Sequence, residues 1–219
     1  MIRDPLALTP VKTLLADVAA GGPTPGGIGL AAVTASQAAA LVSLVARQTA
    51  GKPGYEPMTE EMERLQERAR ALAEQVLVFL DQEVEAFNQL LESVALPKGA
   101  TEHDEQSTIR RDLMRNAARS YVQVPFQIHQ IAMELVPMAE SVARYGNRQL
   151  VADGGTALML AIAAVRSAGL QVLLNLQGQE EDEWGASTRE KVERSFTEVD
   201  GLEGDLWPQL LTRVRGGEG

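Results

Sequence analysis

The chain has 219 residues, 45% of them hydrophobic, with a mean hydropathy of -0.10. That suits one domain, 1–219, with a real buried core, and excludes a disordered chain. Asp and Glu number 30 against 20 Lys and Arg, for a net charge of -10, and aromatics are only 4%; neither a nucleic-acid nor an anionic membrane partner is expected.

Cysteine is absent, which rules out disulfides, thiolate metal sites and cysteine nucleophiles and is compatible with a cytoplasmic protein. The two histidines, His103 and His129, are well separated, so no metal site is expected. Met1-Ile2-Arg3-Asp4-Pro5 has none of the features of a targeting segment.

Thr9 and Pro10 predict a first helix, with Thr9 as cap and Pro10 at the first helical position, closed by Gly21 and Gly22. The loop 21–27 leads into an Ala-rich helix running to about Thr49. Val18 to Ala46 carries no charge and is long enough to span a membrane. Its glycines, prolines, Thr34, Ser36, Gln37 and Ser43 instead predict a buried central helix. Gly51-Lys52-Pro53-Gly54-Tyr55 reads as a loop.

Met58, Met62, Leu65, Ala69, Leu72, Val76 and Phe79 then recur at alternating spacings of four and three, the period of one buried helix face. The pattern continues through Phe87, Leu90, Leu91 and Val94 to Leu96-Pro97-Lys98-Gly99. After a polar connector, a helix carries Ile109, Leu113, Val122 and Ile128. Pro125 and Pro137 should kink or split it, and Gly146-Asn147 should end it. A second central apolar helix is predicted over 153–176, with Asp153 near its start, and an acidic connector follows. Ser187 and Glu190 read as a capping box for a last helix with Val192, Phe196, Val199, Leu202 and Leu206. The expected fold is all-α, a bundle of five or six helices with long central apolar helices.

Three features carry candidate chemistry. The loop Gly21-Gly22-Pro23-Thr24-Pro25-Gly26-Gly27-Ile28-Gly29 precedes a helix whose free amides and positive dipole end face it. An electron-rich ligand group fits there, although a stiff turn between helices needs no ligand. Glu83 lies four residues from both Phe79 and Phe87 on the apolar stripe, with Asp81 and Glu85 nearby. Partial burial and like charges raise its pKa toward neutrality; a glutamate leaning into solvent is the alternative. Asp153 is either a helix cap or a polar group of the site. His129 reads as a satisfied core histidine. Lys52 and Lys98, both in loops, are candidates for meeting an anion.

Pro23-Thr24-Pro25-Gly26-Gly27, the Ala-rich helix, Gly51-Lys52 with Tyr55, Glu85-Ala86-Phe87, Leu96-Pro97-Lys98, Val124-Pro125, Gly146-Asn147, Asp153 and Asn175 occur in one order. In this the chain resembles the cyclodeaminase/cyclohydrolase family: the C-terminal domain of formiminotransferase-cyclodeaminase and the stand-alone bacterial methenyltetrahydrofolate cyclohydrolases. The resemblance implies an all-helical fold, a homodimer, and a tetrahydrofolate one-carbon substrate bound near the glycine loop and the dimer interface, with no further cofactor. The family's aspartate upstream of the Ala-Phe pair falls on Glu83, with Asp81 close by, and its later aspartate on Asp153. Gly26-Gly27-Ile28-Gly29 departs from the family's Gly-Gly-Gly-Ser, and Gln171 stands where asparagine is common.

What the resemblance implies is hydrolysis of 5,10-methenyltetrahydrofolate to 10-formyltetrahydrofolate, or loss of ammonia from 5-formiminotetrahydrofolate. Glu83 or Asp81 would be the acid–base group and Asp153 would hold the pterin or the water. Pro25, Gly26, Gly27, Tyr55, Asn147 and Asn175 would contact substrate. Lys52, Lys98 or Arg47 would meet the anionic glutamate tail. A helical protein of the same fold that binds folate or another partner without turnover is the alternative.

Overall fold

The computed structural model describes residues 5–22, 25–97, 105–177 and 183–216, and among these the regular structure is entirely helical. The α-helices are α1 (Val11–Ala19), α2 (Gly27–Arg47), α3 (Thr59–Leu77), α4 (Phe79–Ala95), α5 (Glu105–Tyr145), α6 (Val151–Asn175) and α7 (Glu183–Val214). Short 3-10 turns, Leu6–Leu8, Glu56–Met58 and Arg148–Leu150, precede α1, α3 and α6.

The all-α bundle expected from periodicity is present, with seven α-helices among the described residues where five or six were predicted. The extra one arises at Val78, where the long apolar stripe bends. Val78 keeps helical angles (φ -61°, ψ -28°), but its amide reaches Gln75 O at 3.3 Å and Gln82 N–H reaches Val78 O at 3.4 Å. The stripe itself is intact: Met62, Leu65, Ala69, Leu72, Val76 and Phe79 are all buried.

The two apolar helices are central. α2 packs between α3 and α6, α7 covers the far flank of α6, α5 crosses behind both α2 and α6, and α4 pairs with α5. Alanines at positions 31, 32, 35, 38, 39 and 46 of α2 and 157, 161, 164 and 168 of α6 are buried, and their small size lets the helices approach closely. By length and composition α2 and α6 could each cross a membrane, yet half of each apolar window is buried against neighbouring helices, as in a bundle core. The remaining face of this pair is uncovered: Leu44, Met159, Leu170 and Leu174 are exposed there.

Several local expectations are corrected. Pro10, not Thr9, stands at the N-cap position of α1, and Thr9 closes the preceding 3-10 turn. Pro125 and Pro137 do not split α5, which runs unbroken for 41 residues because neighbouring helices bury much of its length. α7 starts at Glu183, so Ser187 and Glu190 lie inside it and cap nothing. Asp153 is in the first turn of α6 but is not its cap. Gly146-Asn147 does end α5, and Asn147 Oδ1 accepts the Gln149 amide at 3.1 Å to start the next turn.

Candidate active site

α2 begins at Gly27 with Gly26 in the N-cap position and no capping side chain of its own. Its first amides therefore need a partner from elsewhere. Glu83, projecting from α4, lies beneath this end. A Cβ added to Gly29 would stand 2.8 Å from Glu83 Oε2 and 3.1 Å from Leu80 Cδ2. Only glycine allows the carboxyl so close to the helix end.

Glu83 is 2% exposed. Burial raises its pKa to about 7, outweighing the Gly26 and Gly29 amides, which draw it down. Oε2 has no hydrogen bond of normal geometry. The outcome is a buried carboxyl that exchanges a proton near neutral pH, beside the positive end of a helix dipole.

Two more side chains bear on this end. Tyr121 of α5 is half-buried, and its hydroxyl is pushed up in pKa by burial and by the charge of Glu83; its ring lies 5.8 Å from that of Phe87. Pro125, four residues on, lacks the amide that would close on the Tyr121 carbonyl, so that carbonyl loses its usual partner within the helix. Gln171 of α6 lies against Gly27, where an added Cβ would stand 2.6 Å from Gln171 Nε2. Asn175 follows Gln171 by one turn on the same face of α6. Tyr121 escaped the sequence reading. Its signal was a tyrosine in an aromatic-poor chain, four residues before a mid-helix proline.

The other predicted residues are elsewhere. Asp81, two positions from Glu83, points to the opposite side of α4 and accepts the Leu6 amide at 3.1 and 3.2 Å. It fastens the N-terminal turn to α4 rather than joining Glu83. α2 and α6 run antiparallel, because Gly27 meets Gln171 at one end while the Asn147 amide bonds Thr49 Oγ1 (2.9 Å) at the other. Asp153 is 18 residues from Gln171 along α6, roughly 27 Å away. Lys52 bonds Gln149 Oε1 at 3.2 Å, and the Tyr55 hydroxyl accepts the Arg148 amide at 2.8 Å.

Lys52, Tyr55, Asn147, Asp153 and Arg47 thus occupy the end of the bundle remote from Glu83, and one chain does not bring them together with it. The linear spacing could not show this, since it fixes the face of a helix but not which ends meet. Pro25 is buried beside Gly29, and Gly26 and Gly27 form the turn itself. Lys98, Pro23, Thr24 and His103 lie outside the described residues.

His129 is a core histidine, as read. Nδ1 faces Val165 O at 3.0 Å, Nε2 faces Ser195 Oγ at 3.1 Å, and burial lowers its pKa. It ties α5, α6 and α7. Among the described residues no group of three or more His, Asp or Glu side chains is gathered as a metal site.

The chain is similar over nearly its full length to the methenyltetrahydrofolate cyclohydrolase of Methylorubrum extorquens, 29% identical over 204 residues, covering 93% of this chain and 97% of that one. It is 27% identical over 189 residues to the formimidoyltransferase-cyclodeaminase of Rattus norvegicus, covering 86% of this chain but 34% of that longer protein. Its fold matches the crystal structure of formiminotetrahydrofolate cyclodeaminase from Thermotoga maritima with a TM-score of 0.74 and 25% identity, covering 95% of this chain and 97% of that one. The sequence model of formiminotransferase-cyclodeaminase matches residues 10–194, and the chain belongs to that family.

Proposed function

We propose that this chain is an enzyme of folate one-carbon metabolism that hydrolyses 5,10-methenyltetrahydrofolate to 10-formyltetrahydrofolate, with Glu83 as its acid–base group. The observation that carries the reading is Glu83 itself, a buried carboxyl with a pKa of about 7 under the open end of α2. Similarity to a cyclohydrolase of nearly the same length supports the choice of reaction.

The methenyl carbon is a cationic amidinium carbon between N5 and N10. Ionised Glu83 stabilises that cation and takes a proton from water as the water oxygen bonds to the carbon. The neutral carbinolamine then breaks its C–N5 bond. Glu83 gives its proton to N5 and receives the hydroxyl proton as the formyl carbonyl forms on N10. That proton leaves to solvent, so one water is consumed and one proton released. A pKa near 7 suits a group that must both accept and donate. Tyr121 and Gln171 supply hydrogen-bonding groups beside it, and Pro25, Gly26, Gly27 and Asn175 line the same end.

A second reading is supported by the solved relative: ammonia leaves from a formimino group at the same site. Both are tested by absorbance. The methenyl band decays faster with enzyme if the substrate is methenyltetrahydrofolate and appears if it is 5-formiminotetrahydrofolate. Glu83→Gln should abolish either effect, by roughly 100-fold or more in kcat. Binding of folate by the wild type without turnover of either compound would instead favour a non-catalytic helical protein.

The uncovered face of α2 and α6 supports a homodimer. Leu44, Met159, Leu170 and Leu174 are exposed on helices almost free of charge, and a second copy would cover them. Leu170→Asp should then yield a monomer by sedimentation; an unchanged mass would refute this face. The lack of cysteine supports a cytoplasmic setting.

A further inference from the structure

The apolar stripe of α4 does not stop at Glu83. Phe87, Leu91 and Val94 follow at spacings of four, four and three on the same side of the helix. Leu91 is 51% and Val94 50% exposed, so the stripe leaves the core while remaining apolar. α5 runs back alongside, with Tyr121 against Phe87 and, nearer its start, half-buried Ala118 and Met114 at spacings of three and four.

At the far end stands Arg110. Its Nε donates to Leu96 O at 3.0 Å and its Nη2 to Val94 O at 3.1 Å. Carbonyls hold the guanidinium in place, and among the described residues no carboxylate pairs with it, unlike Arg68, Arg144 and Arg166, which pair with carboxylates. A guanidinium has five N–H donors, so it keeps donors for a further acceptor. From Tyr121 to Arg110 is 11 residues of helix, roughly 16 Å. In order from Glu83 the chain therefore presents an aromatic pair, an exposed apolar strip and a fixed cation, in a protein of net charge -10.

We propose that this flank of the α4–α5 pair is a subsite for the aryl-amide arm of the substrate, with Phe87, Tyr121, Met114, Leu91 and Val94 against the aryl group and Arg110 receiving the terminal carboxylates. The inference rests on the folate reading and specifies it. It replaces Lys52 and Arg47, which the fold puts at the opposite end of the bundle. An arm without terminal carboxylates gains the apolar contact but not the charge-assisted bonds to Arg110.

The test compares 5,10-methenyltetrahydrofolate with 5,10-methenyltetrahydropteroate, which has the same rings but no glutamyl group, measuring KM, kcat and Kd for each. In the wild type the pteroate compound should show a KM roughly 10-fold higher or more, with kcat within about twofold, as loss of uniform binding requires. Arg110→Gln should raise the KM for the folate compound by a similar factor and leave the pteroate KM unchanged.

Arg110 also holds the last carbonyls of α4, so Leu91→Asp provides a second variant at an exposed position. It should raise the folate KM more than the pteroate KM by repelling the carboxylates. Equal wild-type KM values for the two compounds, or variants that raise both KM values equally, would overturn the subsite while leaving the enzymatic reading intact. Failure to bind or turn over either compound would overturn both.

Discussion

Replacing Glu83 by glutamine separates what the group does for stability from what it does for chemistry. A carboxyl whose pKa rises from 4.5 to about 7 on folding favours the folded state only while protonated. The contribution is complete below about pH 4.5 and is lost as pH rises through 7. At about 1.4 kcal/mol per pH unit, the displacement amounts to about 3 kcal/mol between the two limits. Glutamine keeps the shape and carries no charge. Wild type and Glu83→Gln should therefore differ little on this account at pH 4.5, whereas at pH 8.5 the variant should be more stable by about 3 kcal/mol. For a chain of this length that corresponds to a melting temperature higher by on the order of 10 °C. The assay is urea and thermal unfolding of both proteins across that range at one fixed protein concentration, so that any association contributes equally. The variant should be more stable and inactive at once. A stability difference independent of pH, or a variant less stable at pH 8.5, would refute the burial and electrostatics assigned to Glu83.

Gly29→Ala puts a methyl 2.8 Å from Glu83 Oε2. The side-chain end moves more easily than the helix, so activity should fall by roughly 100-fold with a stability loss of about 1 kcal/mol; equal kcat in the two proteins would show the approach to be unimportant. Asp81→Ala releases the Leu6 amide and should cost about 1 kcal/mol in a urea titration with kcat within about twofold; a loss of activity as large as that of Glu83→Gln would return Asp81 to the chemistry. Ser195→Ala removes the hydroxyl facing His129 Nε2 and should cost about 1–3 kcal/mol by unfolding. His129 has a lowered pKa, so its contribution is complete above about pH 6.5 and lost as pH falls. Wild type should accordingly lose part of its stability on acidification, and His129→Gln should lose less; identical acid limbs would argue against a neutral buried imidazole.

The helical fold and its central pair were legible because apolar period and charge-free length are local properties of the chain. Glu83 was legible for the same reason, since an acid four residues from two phenylalanines must share their face. What the spacing could not carry was any statement of which helix ends meet. Lys52, Tyr55, Asn147 and Asp153 flank the chain reversals at one end of the antiparallel α2–α6 pair, and the glycine turn and Glu83 stand at the other. Nothing in their spacing reveals which end each reversal occupies. Tyr121 was missed because a lone aromatic in a long amphipathic helix has the same local pattern as a core residue. Asp81 misled for a related reason: like charges two positions apart look clustered in sequence, but they lie about 200° apart around a helix.

The position of Glu83 explains why its pKa lies near neutrality rather than at an extreme. A carboxyl buried among apolar side chains alone would be driven well above 7, and one seated fully in the amides of a helix N-terminus would be held below 4.5. Here both act, because α2 opens with glycines. Gly26 and Gly29 let the carboxyl come close enough to feel their amides, while Leu80, Phe79 and the small residues of α2 exclude water from it. Oε2 has no hydrogen bond of normal geometry, and burial outweighs the pull of the amides, so the protonated and ionised forms are close in free energy at pH 7. In the proposed reaction, a cationic carbon arriving beside the group would tip that balance toward the carboxylate, and the departing nitrogen would tip it back. The glycines of the turn thus serve as spacing elements for the acid, and their lack of side chains tunes its proton affinity.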